Sequence, residues 1–335
     1  MPAMNAVRLG LWSFLFWMLT ACSPPAVVQQ QAYVFGTLVE ISVVDDLGAR
    51  ATPAISAVLT RFDALHRQLH AWQPSELSQL NVALSQGQTA EVSPELAIML
   101  RDAQTVSAQS NNLFNPAIGG LIALWGFHTD VVQSRIPEAD AIRRRVDAAP
   151  RMANLLIEPN SVSSTNPSVQ LDLGGYAKGY ALDEAVRILK AHGIQHALVN
   201  IGGNVIAMGQ HGDRPWRVGI QHPRQPGTLA TIDLNDGEAI GTSGDYQRYF
   251  EANGKRYSHL IDPRTGYPAT GMQSVTVLVS GAQAGTRSDA LSKPLFIDGT
   301  AHLVEHAAQL GITDYLAVDA TGKVVHSPAM QARLR

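Results

Sequence analysis

Cysteine is nearly absent. The 335 residues contain one, Cys22, so no internal disulfide and no cysteine-built metal cluster can form. The chain also lacks a membrane-spanning run: the apolar stretch Leu9 to Leu19 has 11 residues, against the roughly 20 that a spanning helix needs. A basic excess is missing too. With 25 Lys+Arg against 28 Asp+Glu, the net charge is −3, which argues against the basic face of a nucleic-acid-binding protein. There is no internal repeat and no long linker. The chain carries neither G-x-G-x-x-G nor a P-loop, so neither of those phosphate-binding signatures applies. What remains is a globular composition, 45% hydrophobic, long enough for one large domain or two intimate ones.

The N-terminus reads as an address. Arg8 precedes the apolar run, and the small residues Thr20 and Ala21 follow it, the layout of a secretory signal peptide over residues 1–21. The junction Leu19-Thr20-Ala21-Cys22 resembles a bacterial lipobox. That resemblance implies a lipid on Cys22 and a membrane anchor on the periplasmic side, and Ser23 after the cysteine suggests the outer membrane. Ser23-Pro24-Pro25 and the glutamines to Gln31 read as a tether over residues 22–32, leaving 33–335 as the folded domain.

Tyr33 to Val44 is β-branched and aromatic and reads as one strand. Ile55, Val58, Leu59, Phe62, Leu65 and Leu69 recur at helical spacing and predict a helix over 53–70. Ser93-Pro94-Glu95 opens another, to about Ala108, and Pro137 to Val146 a short charged one. Gln170 to Leu173 reads as a short strand, followed by a helix from Ala177 to Lys190 that Gly193 closes. From His196 to Ser280, β-rich runs alternate with turn residues: 196–201, 205–208, 216–221, 229–233, 238–241, 246–250, 256–261 and 273–280. Two helices and a strand at 314–318 finish the chain. The predicted class is α+β, with mixed, mostly antiparallel sheets and flanking helices.

Five segments carry residue types suited to chemistry. Asp172-Leu173-Gly174-Gly175-Tyr176-Ala177-Lys178 runs from strand through a glycine turn into a helix start, where free N–H groups and a lysine suit phosphate; a plain strand-to-helix turn reads the same way. Asn200 to Asn204 and Gly241 to Tyr246 read either as hairpin turns or as loops that let backbone and hydroxyls approach a ligand. Tyr257 to Gly266 holds His259, able to move protons near neutrality, and Arg264, able to neutralise phosphate; a histidine there is equally at home as structure. Asp289 and Lys293 are four apart on one helix face, either a surface ion pair or a hard oxygen ligand beside a cation.

In order, D-L-G-G-Y-A-K-G-Y, N-I-G-G-N, T-S-G-D-Y-x-R-Y-F, H-L-I-D-P-R-T-G and D-A-L-S resemble the ApbE family of FAD:protein FMN transferases. Phe35-Gly36-Thr37, the S-E-L-S-Q-L-N turn at 75–81, Phe114-Asn115-Pro116 and Leu124-Trp125-Gly126-Phe127 extend the resemblance over about residues 33–310. It implies a two-lobed fold with a flavin cleft between the lobes. It also implies magnesium-dependent cleavage of FAD at its diphosphate, with FMN joined to a Thr or Ser hydroxyl of an acceptor protein and AMP released. Holding FAD with little turnover, or hydrolysing it to FMN and AMP, are the alternatives. By the same resemblance Phe35, Trp72, Leu113, Phe114, Asn115, Asp172, Lys178, Thr242, Ser243, Asp245 and Ile261 contact FAD, and His259 handles a proton or positions the diphosphate. Asp289 and the Gly175 carbonyl hold Mg²⁺, with Lys293 at a ligand position where the family often has threonine. Pro294 is expected to disturb a continuing helix. The implied acceptors are flavin-carrying subunits of membrane electron-transport complexes.

Overall fold

The computed structural model describes residues 27–44, 49–129 and 134–335. The signal peptide, Cys22 and Ser23 lie outside the described residues, among which no helix is long and apolar enough to cross a membrane. The first described element is a hairpin. β1 (Val27–Val34) and β2 (Thr37–Val44) pair antiparallel from Val27↔Val44 to Val34↔Thr37. Phe35 and Gly36 connect them at φ 56° and 69°, the left-handed values that match the twist of a two-residue hairpin loop. The single strand expected over Tyr33–Val44 is therefore two, and the expected tether is shorter, because Val27 to Ala32 are paired in the sheet.

α1 (Ala51–Leu69) buries Ile55, Val58, Phe62, Leu65 and Leu69, as the periodicity predicts. α2 (Glu76–Ser85) replaces an expected turn: Ser75 Oγ accepts from Ser78 N while Ser78 Oγ accepts from Ser75 N, a reciprocal cap that satisfies two donors. β3 (Ala90–Glu91), α3 (Pro94–Gln109), α4 (Gly119–Leu124), α5 (Ala139–Asp147), β4 (Leu155–Ile157) and β5 (Ser161–Ser164) follow. Residues 171–173, expected as strand, belong to no ladder strand; Gln170 alone bridges to Ile118. After α6 (Ala177–Ala191) come β6 (His196–Ile201), β7 (Asn204–Met208), β8 (Trp216–Gln221), β9 (Thr228–Leu234) and β10 (Glu238–Gly244). β11 (Tyr249–Ala252) and β12 (Lys255–Ser258) form a hairpin turning at Asn253-Gly254, a few residues away from the expected runs at 246–250 and 256–261. β13 (Met272–Ser280), α7 (Ala284–Asp298), α8 (Leu303–Gln309), β14 (Asp314–Asp319), β15 (Val324–His326) and α9 (Pro328–Gln331) complete the order. α7 runs through Pro294 to Asp298, so the expected disturbance does not end the helix.

Among the described residues the main sheet has eight strands in the order β1-β2-β6-β7-β10-β13-β14-β15, paired antiparallel throughout. Side chains alternate across it. Val199, Ile201, Val275 and Val277 join the core shared with α1, α6 and α7. Ile240, Leu278, Leu316 and Val318 meet Trp216, Ile232 and Met330 from the β8–β9 hairpin and α9. A third cluster, around Trp125, Phe127, Ile142, Phe250 and Ile261, stands apart, and the cleft opens between it and the first core. The class is α+β, as the sequence predicts.

Candidate active site

The floor of the cleft is the turn that leads into α6. Asn81 on α2 acts there as a surrogate strand: its side chain accepts from Leu171 N (2.7 Å) and donates to Leu171 O (2.9 Å). On the other side Asp172 N donates to Pro116 O (2.8 Å). Asp172 is thereby fixed. Its Oδ1 accepts from Gly174 N (2.8 Å) and its Oδ2 from Trp72 Nε1 (3.1 Å). Lys178, in the first turn of α6, spends only a long bond (3.3 Å) on Gly174 O and lines the cleft.

Two glycines bring α6 and α7 together. A Cβ on Gly179 would lie 2.7 Å from Asp289 Cβ, and one on Gly285 would lie 2.6 Å from Gly179 O, distances that neither backbone can yield. Asp183 on α6 fixes the start of α7 by accepting from Gly285 N (2.9 Å), Thr286 N (2.8 Å) and Thr286 Oγ1 (2.6 Å). At Gly241, β10 approaches the α7 backbone at Ser288 just as closely. This explains why so permissive a Gly-Thr-Ser-Gly stretch is strand rather than the expected turn. Asp289 is consequently almost wholly buried, with Oδ2 accepting from Gly179 N (2.9 Å). Its Oδ1 accepts from Lys293 Nζ (2.6 Å), which also donates to Asp289 O (2.7 Å). Burial works against the charged carboxylate, but Lys178, Lys293 and the Gly179 N–H hold its pKa below the ordinary 3.8. Burial likewise pulls the Lys293 ammonium below 10.5, with Asp289 opposing.

The walls are aromatic and cationic. Phe35, in its left-handed turn, packs on Phe62 and on His66, and Trp72 lies 5.4 Å from His128 between ring centroids. Across the gap stand Leu113, Phe114, Asn115, Arg248, His259 and Ile261. Arg248 is braced by the carbonyls of Phe127 (2.8 Å) and Thr129 (3.0 Å). The carbonyl of Arg248 in turn faces His259 Nδ1 at 3.2 Å. A carbonyl only accepts, so Nδ1 carries the proton and Nε2 keeps its lone pair. Burial, then the charges of Arg248, Lys178 and Lys293, lower the His259 pKa to about 3, so the half-buried ring is neutral at pH 7. The cleft encloses about 700 Å³, within the range of cofactor sites. A side recess of about 60 Å³ opens among Gly175, Thr242, Ser243, His259, Asp289 and Lys293.

The two cavities bring together Phe35, Trp72, Leu113, Phe114, Asn115, Asp172, Gly175, Lys178, Thr242, Ser243, His259, Ile261, Asp289 and Lys293; four expectations meet a different arrangement. Asp245 is outside both cavities, held by Arg224 in a two-pronged pair (2.7 and 2.6 Å). Arg264 is spent on Asp262 and Asp298 and is not available to a phosphate. Asn115 reaches the cleft, yet its side chain serves the backbone at Pro150 O (2.9 Å) and Ala117 N (3.1 Å). The fourth is the implied magnesium. One of Asp289's oxygens faces an ammonium and the other an N–H, and no group of three or more His, Cys, Asp or Glu gathers to hold a metal among the described residues. A divalent cation beside Lys293 Nζ meets repulsion rather than a donor, so Gly175, Asp289 and Lys293 as arranged do not fit Mg²⁺. Sequence reasoning missed His66, His70, His128, Gln247 and Arg248 as lining residues. The signal for Arg248 was its place inside the T-S-G-D-Y-x-R-Y-F stretch.

A sequence model of the ApbE family matches residues 35–316. The chain belongs to the ApbE family. Among curated ApbE-type relatives, an FAD:protein FMN transferase of Rhodobacter capsulatus is 42% identical over 316 residues, covering 94% of this chain and 60% of the relative. One from Klebsiella pneumoniae is 31% identical over 292 residues, covering 84% and 82%. Among solved structures, the ApbE protein of Thermotoga maritima superposes with a TM-score of 0.84 at 30% identity, covering 92% of this chain and 100% of that one. The flavin transferase ApbE of Vibrio cholerae gives 0.80 at 26%, with the same coverage. The chain spans about three-fifths of the Rhodobacter relative's length.

Proposed function

We propose that this protein is a transferase that moves the FMN part of FAD onto a Thr or Ser hydroxyl of an acceptor protein and releases AMP. One observation carries the reading. An aromatic-walled cleft ends on a floor where Lys178, Lys293 and the glycine turn at the start of α6 converge, an arrangement suited to a ring system joined to a diphosphate. Transfer to phosphorus is mainly positioning and charge neutralisation. The acceptor oxygen bonds to the flavin-side phosphorus, the bond from that phosphorus to the bridging oxygen breaks, and AMP leaves with the electron pair. His259 Nε2, which keeps its lone pair, accepts a hydrogen bond from the acceptor hydroxyl and orients it, and the hydroxyl proton passes through water to the departing AMP. Trp72 and Asp172 hold each other and orient the flavin end.

The N-terminal pattern supports a lipid on Cys22 that holds the domain at the periplasmic side of a membrane. A flavin-carrying subunit of a membrane electron-transport complex, presenting its hydroxyl at the cleft mouth, is the partner we infer. Magnesium, which the family resemblance implies, has no place in this scheme because the Lys293 ammonium already lies on Asp289.

Incubating the purified protein with FAD and such an acceptor tests the reading. The expected result is AMP release with flavin fluorescence on the acceptor band after denaturing electrophoresis. FAD held without AMP release would leave a binding protein, and AMP with free FMN but no labelled acceptor would leave a hydrolase.

A further inference from the structure

The strongest disagreement between this chain and its implied chemistry lies at Lys293. Its Nζ sits 2.6 Å from Asp289 Oδ1 and 2.7 Å from Asp289 O, on the carboxylate that would otherwise receive a metal. The position is built for it. Gly175 leaves room for the lysine stem, since a Cβ there would lie 2.7 Å from Lys293 Cε and 3.0 Å from Cδ. The side chain is only 13% exposed, and the surface it shows faces the cavities, because Lys293 lines both the flavin cleft and the side recess. An ammonium has three donors. Asp289 takes two, which leaves the third for the cavity. Lys178 brings a second positive charge to the same floor.

We propose that the Lys293 ammonium occupies the place of the divalent cation at the FAD diphosphate, so that this chain binds and cleaves FAD without metal. The inference rests on the transferase reading and adds to it that neutralisation is covalent to the chain. A lysine acts as a point charge on phosphate, and a charged hydrogen bond to the diphosphate accounts for an affinity difference of about tenfold or more.

The test uses the full chain, stripped with chelator, with FAD as the probe. Binding is followed by quenching of flavin fluorescence, and AMP release by chromatography, in EDTA and in millimolar Mg²⁺. The expected result is FAD affinity within about twofold between the two buffers and AMP release in both. Lys293→Met is expected to lose about tenfold in affinity, and Lys293→Thr, which places an oxygen beside Asp289, to regain it only when Mg²⁺ is added. Parent protein that binds FAD only with Mg²⁺ overturns the inference and leaves the transferase reading intact. Failure to bind FAD in either buffer overturns the reading beneath it. The parent measurements need no variant, so misfolding of Lys293→Met does not blunt the test.

Discussion

Removing one member of the Asp289–Lys293 pair is a sharper perturbation than removing both. Asp289 is 1% exposed and Lys293 13%, so each single substitution leaves a largely buried charge with one backbone partner. In Asp289→Ala the ammonium keeps only the carbonyl of residue 289, and in Lys293→Met the carboxylate keeps only Gly179 N. Stranding a buried charge costs about 3–5 kcal/mol, and because the adjoining recess admits water to Lys293 the lower end, about 3 kcal/mol for each, is expected. The double variant strands no charge, only the Gly179 N–H that Asp289 accepted, and should cost about 1–3 kcal/mol, less than the two single costs together. Urea unfolding of the four proteins closes the cycle, with unchanged m-values needed to compare midpoints. Each single variant should also melt about 6 °C or more below the parent. Costs that simply add in the double variant would refute the argument, because additivity means the two charges do not rely on one another.

The low pKa of His259 makes a pH prediction. Its pKa falls from 6.5 to about 3 in the fold, so the ring is already neutral at pH 6 and AMP release should show no inflection near 6.5. Stability behaves differently. Below 6.5 the unfolded chain takes up a proton that the folded ring refuses, so this contribution is complete above 6.5 and is lost as pH falls toward 3. Melting temperatures of the parent and His259→Gln between pH 7 and 5 should converge, and parallel curves would contradict the assignment. Cys22→Ser, expressed with its leader, should move the protein from the membrane pellet to the soluble fraction on cell fractionation, and an unchanged pellet would remove the lipid anchor.

Helices that bury a stripe were plain in the sequence. Ile55, Val58, Phe62, Leu65 and Leu69 sit on the covered side of α1 as their spacing requires. β1 was hidden because Gln29, Gln30 and Gln31 lie on an edge strand, where one flank stays open to water and polar side chains are tolerated. β10 was half legible, and its expected run at 238–241 continues to Gly244 for a different reason. Gly241 answers to a helix crossing at Ser288, a contact between positions 241 and 288 that no local pattern records. The site divides the same way. Asp172, Lys178 and Asp289 were legible because each sits in a short ordered motif, whereas the fates of Asp245 and Arg264 depend on Arg224 and Asp298. An ion pair drawn from distant segments consumes a residue that local reading would assign to a ligand.

The Gly179–Gly285 crossing bears on how this protein can diverge. With no room for even a methyl group, helix–helix spacing at the base admits almost no drift, and the carboxylate beside it inherits that rigidity. Variation in preference is thereby displaced to the mouth, to the Phe35 hairpin and the loops bearing Trp72 and Phe114. A lineage of such proteins would keep one anvil and change only the jaws.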